Sequence, residues 1–315
     1  MNTIYAQNPD YLFMVEQATK APSGHNTQPW LFKINETNIR IYPDFKKSLP
    51  VVDPDNRELF ISIGCAVENL CISACKKGYS TEISIAENGV ITIRLDKDKL
   101  KERDPLFEQI AVRQTDRSEY NGKIIPEDTL SILKSITVEQ GIDINFYQNG
   151  TSHFDSVLNY VVKGNAIQMQ DKAFKDELKS WMRFNKKQQN RTNNGLSYAV
   201  FNAPNIPELI AKPIMVSYLN AKTQNKGGIK KIQSASHLVL FTINQDNIKE
   251  WINLGRVLQR LLLKATELGI SNSYFNQPNE IRSLSVEMAN SLNICEIPAI
   301  LLRIGYGQKM PYSKR

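Results

Sequence analysis

Two segments 191 residues apart carry the same helical pattern, and this repetition constrains the fold of the 315-residue chain more than any other feature. Ile61, Gly64, Leu70, Ala74, Gly78 and Ser80 recur as Ile252, Gly255, Leu261, Ala265, Gly269 and Ser271, six identities in twenty aligned positions. The apolar set Ile63, Val67, Leu70, Cys71 and Ala74 recurs as Leu254, Leu258, Leu261, Leu262 and Ala265. Steps of three and four place each set on one stripe of a helix. Gly78 and Gly269 fall where a left-handed residue ends such a helix. Inside a helix, glycine costs roughly 0.5–1 kcal/mol relative to alanine, so Gly64 and Gly255 imply a close approach by another backbone. The two helices are predicted to pack on each other about a pseudo-twofold axis.

The flanks read as α+β, with antiparallel-rich sheets flanked by helices. Tyr11–Thr19 has a helical pattern that stops before Pro22, and Pro126 precedes a second one through Leu130, Leu133 and Ile136. Trp30–Ile34, Ile39–Tyr42, Ile142–Tyr147, His237–Ile243 and Ile297–Tyr306 read as strands. Glu82–Ile85 and Val90–Leu95 alternate around Asn88-Gly89, a two-residue hairpin signature. Residues 172–230 differ from both halves: they are polar, with Asn193-Asn194-Gly195, Pro204, Pro207, Pro213 and Gly227-Gly228. That stretch reads as an excursion or lid.

Charge and cysteine usage exclude several function classes. The net charge is +7, with 39 basic and 32 acidic residues. This suits an anionic small molecule better than nucleic acid, which needs a clustered basic stripe. The densest basic stretch, Arg183 to Arg191, reads as a solvated face. No run of eighteen apolar residues suggests a membrane span, and the amino terminus lacks the pattern of a secretory signal, so a cytoplasmic protein is expected. Cys65, Cys71, Cys75 and Cys295 do not form a disulfide framework, and Cys71 and Cys75 fit core packing. His25, His153 and His237 are isolated, so no metal site is expected.

No nucleophile elbow, P-loop or dinucleotide fingerprint is present, and no catalytic side chain stands out. Two motifs are suited to holding a ligand. The first is Ala21-Pro22-Ser23-Gly24-His25-Asn26-Thr27-Gln28-Pro29-Trp30. It breaks a helix and exposes backbone donors beside the Ser23, Asn26 and Gln28 side chains, or else it is only a turn closed by its own side chains. The second is Arg113-Gln114-Thr115-Asp116-Arg117. In an extended segment its two guanidinium groups and its hydroxyl face one way and can meet one phosphate; alternatively they are surface arginines around a capping threonine.

Together these motifs make the chain resemble the nitroreductase superfamily of FMN-dependent oxidoreductases, in particular its Acg-like branch. The resemblance runs from Tyr11 to the carboxyl terminus and is weakest over residues 172–230. It implies two related halves in one chain, residues 1–104 (truncated) and 105–315, forming one compact unit with residues 172–230 as a lid. In ordinary members two subunits form each flavin site, one giving Arg-x-Ser-x-Arg and the other Pro-Ser-x-x-Asn. Here the first half carries Pro22, Ser23, Asn26 and Gln28, and the second carries Arg113, Thr115 and Arg117, with Thr115 in place of the usual serine. No second copy of either motif follows, which implies one FMN per chain.

The resemblance also assigns Lys231 to the flavin pyrimidine, Asn276 and Gln277 to the region of flavin N5, and Lys314 and Arg315 to the phosphate. It implies an NAD(P)H-dependent oxidoreductase acting on a nitroaromatic, quinone or similar small-molecule electron acceptor. The flavin would carry the chemistry, without nucleic acid or membrane partners, in a pseudo-dimeric chain that can pair further. A lid that covers the flavin instead implies a flavin-binding, storage or stress protein without turnover, and a purely structural protein would ignore FMN altogether.

Overall fold

A computed structural model of the chain describes residues 8–98, 104–201 and 203–308. The first half begins with helix α1 (Pro9–Ala18) and strands β1 (Trp30–Ile34) and β2 (Asn38–Pro43). It continues through helix α2 (Arg57–Lys76) and strands β3 (Tyr79–Ile85) and β4 (Ile91–Lys97). Next come α3 (Glu127–Lys134), β5 (Ile142–Gln148) and α4 (Ser152–Gln170). A run of short elements follows: α5 (Lys172–Trp181), β6 (Met182–Arg183), α6 (Lys186–Thr192), β7 (Leu196–Ser197) and α7 (Glu208–Ser217). The chain closes with α8 (Ala221–Gln233), β8 (His237–Ile243), α9 (Ile248–Glu267), β9 (Ser271–Tyr274), α10 (Arg282–Ser291) and β10 (Ile297–Gly305).

Two antiparallel four-stranded sheets, ordered β1-β2-β4-β3 and β5-β8-β10-β9, flank the helix pair α2–α9. One core joins Ile39, Ile41, Ile91 and Ile93 of the first sheet to Val239, Phe241, Ile243 and Leu302 of the second, through α2 and α9. The first sheet is covered on one face, and β3 accordingly alternates between sheltered and exposed positions. The second sheet is covered on both. Leu238, Leu240 and Leu301 meet Phe154, Val157 and Ile232 from α4 and α8, and every residue of β8 is buried.

The helix crossing follows the repeat. A Cβ on Gly64 would lie 2.1 Å from the Ile252 carbonyl oxygen, and one on Gly255 would lie 2.0 Å from the Ile61 oxygen. Ile61 and Ile252 are themselves repeat equivalents, so each glycine admits the other helix at matching positions. Gly78 and Gly269 both adopt left-handed φ, 72° and 69°, just beyond the helix ends. Polar pairs cross the axis too. Glu68 Oε1 accepts from Arg260 Nε at 2.7 Å, and Asn69 Oδ1 accepts from Gln259 Nε2 at 2.7 Å. Arg256 and Glu139 complete a sheltered ion cluster around Glu68. By length and composition α2 would suffice to cross a membrane, but 89% of its apolar window is buried inside the protein.

Two local expectations change. The β3–β4 connection runs from residue 86 to residue 90, so it is longer than a two-residue turn. Gly89 N–H donates to the Ala86 carbonyl (2.9 Å), and of Asn88-Gly89 only Gly89 has positive φ, whereas a two-residue type I′ turn needs both. The Phe60 ring lies only 2.2 Å from where a Gly89 Cβ would be, which fixes the glycine from below. The polar excursion is also narrower than its composition suggests. Helix α8 packs Ile232 into the second half's core, leaving α5 to α7 as the separate cover. Those elements have small apolar clusters of their own, one around Met182, Phe184, Ala211 and Met215, another joining Phe174 to Leu49, Val52 and Met169.

Candidate active site

The chain after α1 cannot continue as a helix through Ala21-Pro22, and it makes a tight turn in which His25, Asn26 and Gln28 all take positive φ (47°, 57° and 57°). Such conformations are costly for non-glycine residues and persist only where surrounding bonds impose them. Here Ser23 Oγ accepts the Gln28 N–H (3.0 Å), Ser23 O accepts the Asn26 N–H (2.9 Å), and Lys47 Nζ donates to Gln28 O (3.0 Å).

The arginine segment is fixed through its central residue. Asp116 is buried; its N–H donates to Asn272 O (2.8 Å), and its Oδ2 accepts from Ser271 Oγ (3.0 Å). Arg303, fully buried, donates to the carbonyls of Asp116, Ser118 and Lys231 and lies 3.8 Å over the Tyr120 ring. The segment is irregular, so Gln114 shares the cavity wall with Arg113, Thr115 and Arg117.

Turn and arginines line one cavity of about 760 Å³. Pro22, Ser23, Asn26, Arg113, Thr115, Arg117, Asn276 and Gln277 all border it. Gln28 does not: its Nε2 donates to Asn193 O at 2.7 Å, in the cover. Lys231 is not a lining residue either. Burial depresses its pKa first, and the nearby charges of Arg303 and Arg117 add to that effect. Lys314 and Arg315 lie outside the described residues.

The cavity wall carries charges of both signs. Lys20, Arg113 and Arg117 supply cations, and the Lys20 carbonyl accepts from Arg113 Nη2 (3.4 Å). Burial, then the Arg117 charge, lowers His25 to about 4, so its ring is neutral at physiological pH. Glu58, from the first turn of α2, and Glu280 line it as well. Asn276 Nδ2 donates to Glu58, and Gln168 Nε2 donates to Glu280. Burial raises the Glu58 carboxyl well above its ordinary range, with the charges of Glu280 and Asp53 adding to it, and burial brings Glu280 to about 7. No sequence motif marks these carboxyls. Each is ordinary in its own segment, and they meet only because the fold joins residues 222 positions apart.

The cover closes over the cavity. Phe174, Leu178, Leu196 and Val200 contribute apolar lining, while Gly195 N–H donates to Asn26 O (3.0 Å) and Asn26 Nδ2 donates to Gly195 O (3.1 Å). The Glu177 carboxylate accepts the Val51 and Val52 N–H groups at 2.9 and 3.0 Å.

No protein-family model matches the chain. It is 22% identical to a protein named "Putative NAD(P)H nitroreductase" in two strains of Mycobacterium tuberculosis, over 97% of this chain and 88% of the relative. The chain is thus similar in sequence to proteins named as nitroreductases. Among solved structures, the chain overlays on an FMN and NADPH-dependent nitroreductase from a Sphigopyxis strain with a TM-score of 0.44 and 12% identity, covering 66% of this chain and 95% of that one. A nitroreductase with bound FMN from Bacteroides fragilis gives a TM-score of 0.39 and 17% identity, covering 67% and 93%.

Proposed function

We propose that the chain is an FMN-dependent NAD(P)H oxidoreductase of the Acg-like kind, which reduces nitroaromatic, quinone or similar acceptors in the cavity between the Pro22–Asn26 turn and the Arg113–Arg117 segment. The observation that carries this reading is the cavity itself, which gathers motifs from residues 22–26, 113–117 and 276–277 around a space large enough for a planar cofactor. The donor set fits FMN. His25 Nε2, Gln114 Nε2 and Gln277 Oε1 are buried, have no hydrogen-bond partner among the described residues, and belong to cavity-lining residues. A flavin offers both donors and acceptors to such atoms, and its phosphate suits the cationic side chains.

Arg113 and Arg117 would hold the phosphate, with Thr115 adding a hydroxyl. Ser23, Asn26, Asn276 and Gln277 would orient the ring. When bound, FMN supplies hydride transfer between nicotinamide and acceptor, so no side-chain nucleophile is required. Phe174, Leu178 and Leu196 would exclude water from the stacked ligands. One chain would hold one FMN, its two halves taking the place of two subunits in a cytoplasmic enzyme.

A second reading is favoured by Asn26 itself. Its side-chain donor, which the resemblance assigns to the flavin, is bonded to Gly195 of the cover. If that contact persists in the loaded protein, the chain would bind flavin without turnover. Anaerobic mixing of the FMN-loaded protein with NADPH, then nitrofurazone, decides between them. Bleaching of the flavin band followed by its return supports the enzyme, whereas a yellow protein unchanged by NADPH supports the binder.

A further inference from the structure

We propose that Glu58 and Glu280 form a proton relay between the main cavity and a second cavity behind it, delivering the proton that acceptor reduction consumes. The proposal rests on the oxidoreductase reading above. The two carboxyl groups lie within hydrogen-bonding range of each other at the wall of the main cavity. One oxygen of each is committed to an amide donor, Asn276 Nδ2 on Glu58 and Gln168 Nε2 on Glu280. The Asn276 amide cannot turn round without loss, because its Oδ1 accepts from Leu301 N–H (3.0 Å) and Asn279 Nδ2 (2.9 Å). Two facing carboxyls held in this way are stable only with one proton between them. The pair is coupled, so its protonation belongs to both groups together.

The surroundings favour retention of that proton. Asp53 precedes α2 and opposes a second negative charge, while Arg57 favours one. Helix α4 offers only the neutral Asn165 and Gln168 on this side, and Lys20, His25, Arg113 and Arg117 line the same main cavity. Asp246 and Arg282 belong to the second cavity, of about 450 Å³, which Glu280 also lines. Its lining includes the exposed Asp55, Arg282 and Cys295, so the second cavity borders both solvent-exposed residues and Glu280. At the front, the apolar cover stands over the site. Reduction under such a cover needs a proton inlet, and the carboxyl pair is the polar bridge between the two spaces.

The balance is one proton per two electrons. The acceptor takes a hydride derived from NAD(P)H and one proton; the carboxyl O–H bond breaks as the new bond to the acceptor forms. Water in the second cavity then returns a proton to the ionised pair.

The flavin-free protein gives the first test. A carboxyl whose folded pKa is raised stabilises the fold below its unfolded value, and that contribution is lost as pH rises, from about 4.5 until about 7. Parent stability, followed by urea unfolding, should decline over this interval, and Glu280→Gln should flatten the decline by about one bound proton. Glu58→Gln is the second variant, with the same expectation. Superimposable pH profiles would show that the pair holds no proton. In the FMN-loaded protein, Glu280→Gln should slow reoxidation by nitrofurazone by about a hundredfold. It should also abolish the solvent deuterium effect on that step, with a much smaller effect on bleaching by NADPH. Equal slowing of both steps would reduce Glu280 to a structural part. Failure of the parent to bleach would refute the oxidoreductase reading and the relay together, while the urea profiles still report separately whether the proton is there.

Discussion

Where α2 crosses α9, each half of the chain answers the other: Gly64 lies against Gly255, and Glu68–Arg260 is matched by Asn69–Gln259. The neighbouring cavity has no such correspondence. Glu58 has Lys249 as its repeat equivalent, and the Pro22–Asn26 turn and the arginine segment occur once each. A packing stripe needs only shape and apolarity, which two segments can supply alike. A ligand site off the axis needs different groups on its two sides, so a chain with one such site needs each motif only once.

That contrast can be tested from the waist outwards. The largest expected effect is at Glu68, the sheltered acid between Arg256 and Arg260. Glu68→Ala leaves two sheltered cations sharing the single, more exposed Glu139 carboxylate and should cost about 3–5 kcal/mol by urea unfolding. A cost below about 1 kcal/mol would place the cluster among ordinary surface ion pairs. Gly64→Val comes next. Its side chain would meet the Ile252 carbonyl oxygen, an obstacle that rotamer changes cannot clear, and should cost about 1–3 kcal/mol or more. The control is Gly227→Ala in α8. A Cβ there meets nothing within 4 Å, so the change should stabilise by about 0.5–1 kcal/mol. If both glycine variants behave alike, the waist is not the close backbone contact described.

The fold was legible where local pattern decides it. β1 spans Trp30–Ile34 as its sequence predicts, and the glycines at 64 and 255 announced their contact through the repeat. Helix α8 was obscured because its many lysines and glycines hide Ile229 and Ile232, the residues that dock it. At the site, the turn and the arginines were readable as short motifs. Glu58, Glu280 and Gln168 were not, because their significance lies in contacts across the chain. Arg303 was likewise silent in the sequence: a lone arginine in an apolar strand gives no sign that it fastens the end of the Arg113–Arg117 segment through the Asp116 and Ser118 carbonyls and ties it to Lys231 of α8. Gln28 looked like part of the ligand cradle and instead ties the turn to the cover, because the left-handed backbone at that residue accompanies a side chain bonded to Asn193.

Equilibrium titration of FMN into the parent protein and into Arg113→Ala/Arg117→Ala tests the account most directly. Two charge-assisted contacts of about 1.5–3 kcal/mol each predict at least about a hundredfold weaker binding by the double variant, with its fold retained by circular dichroism. Equal affinity in the two proteins, or no FMN binding by the parent, would contradict it.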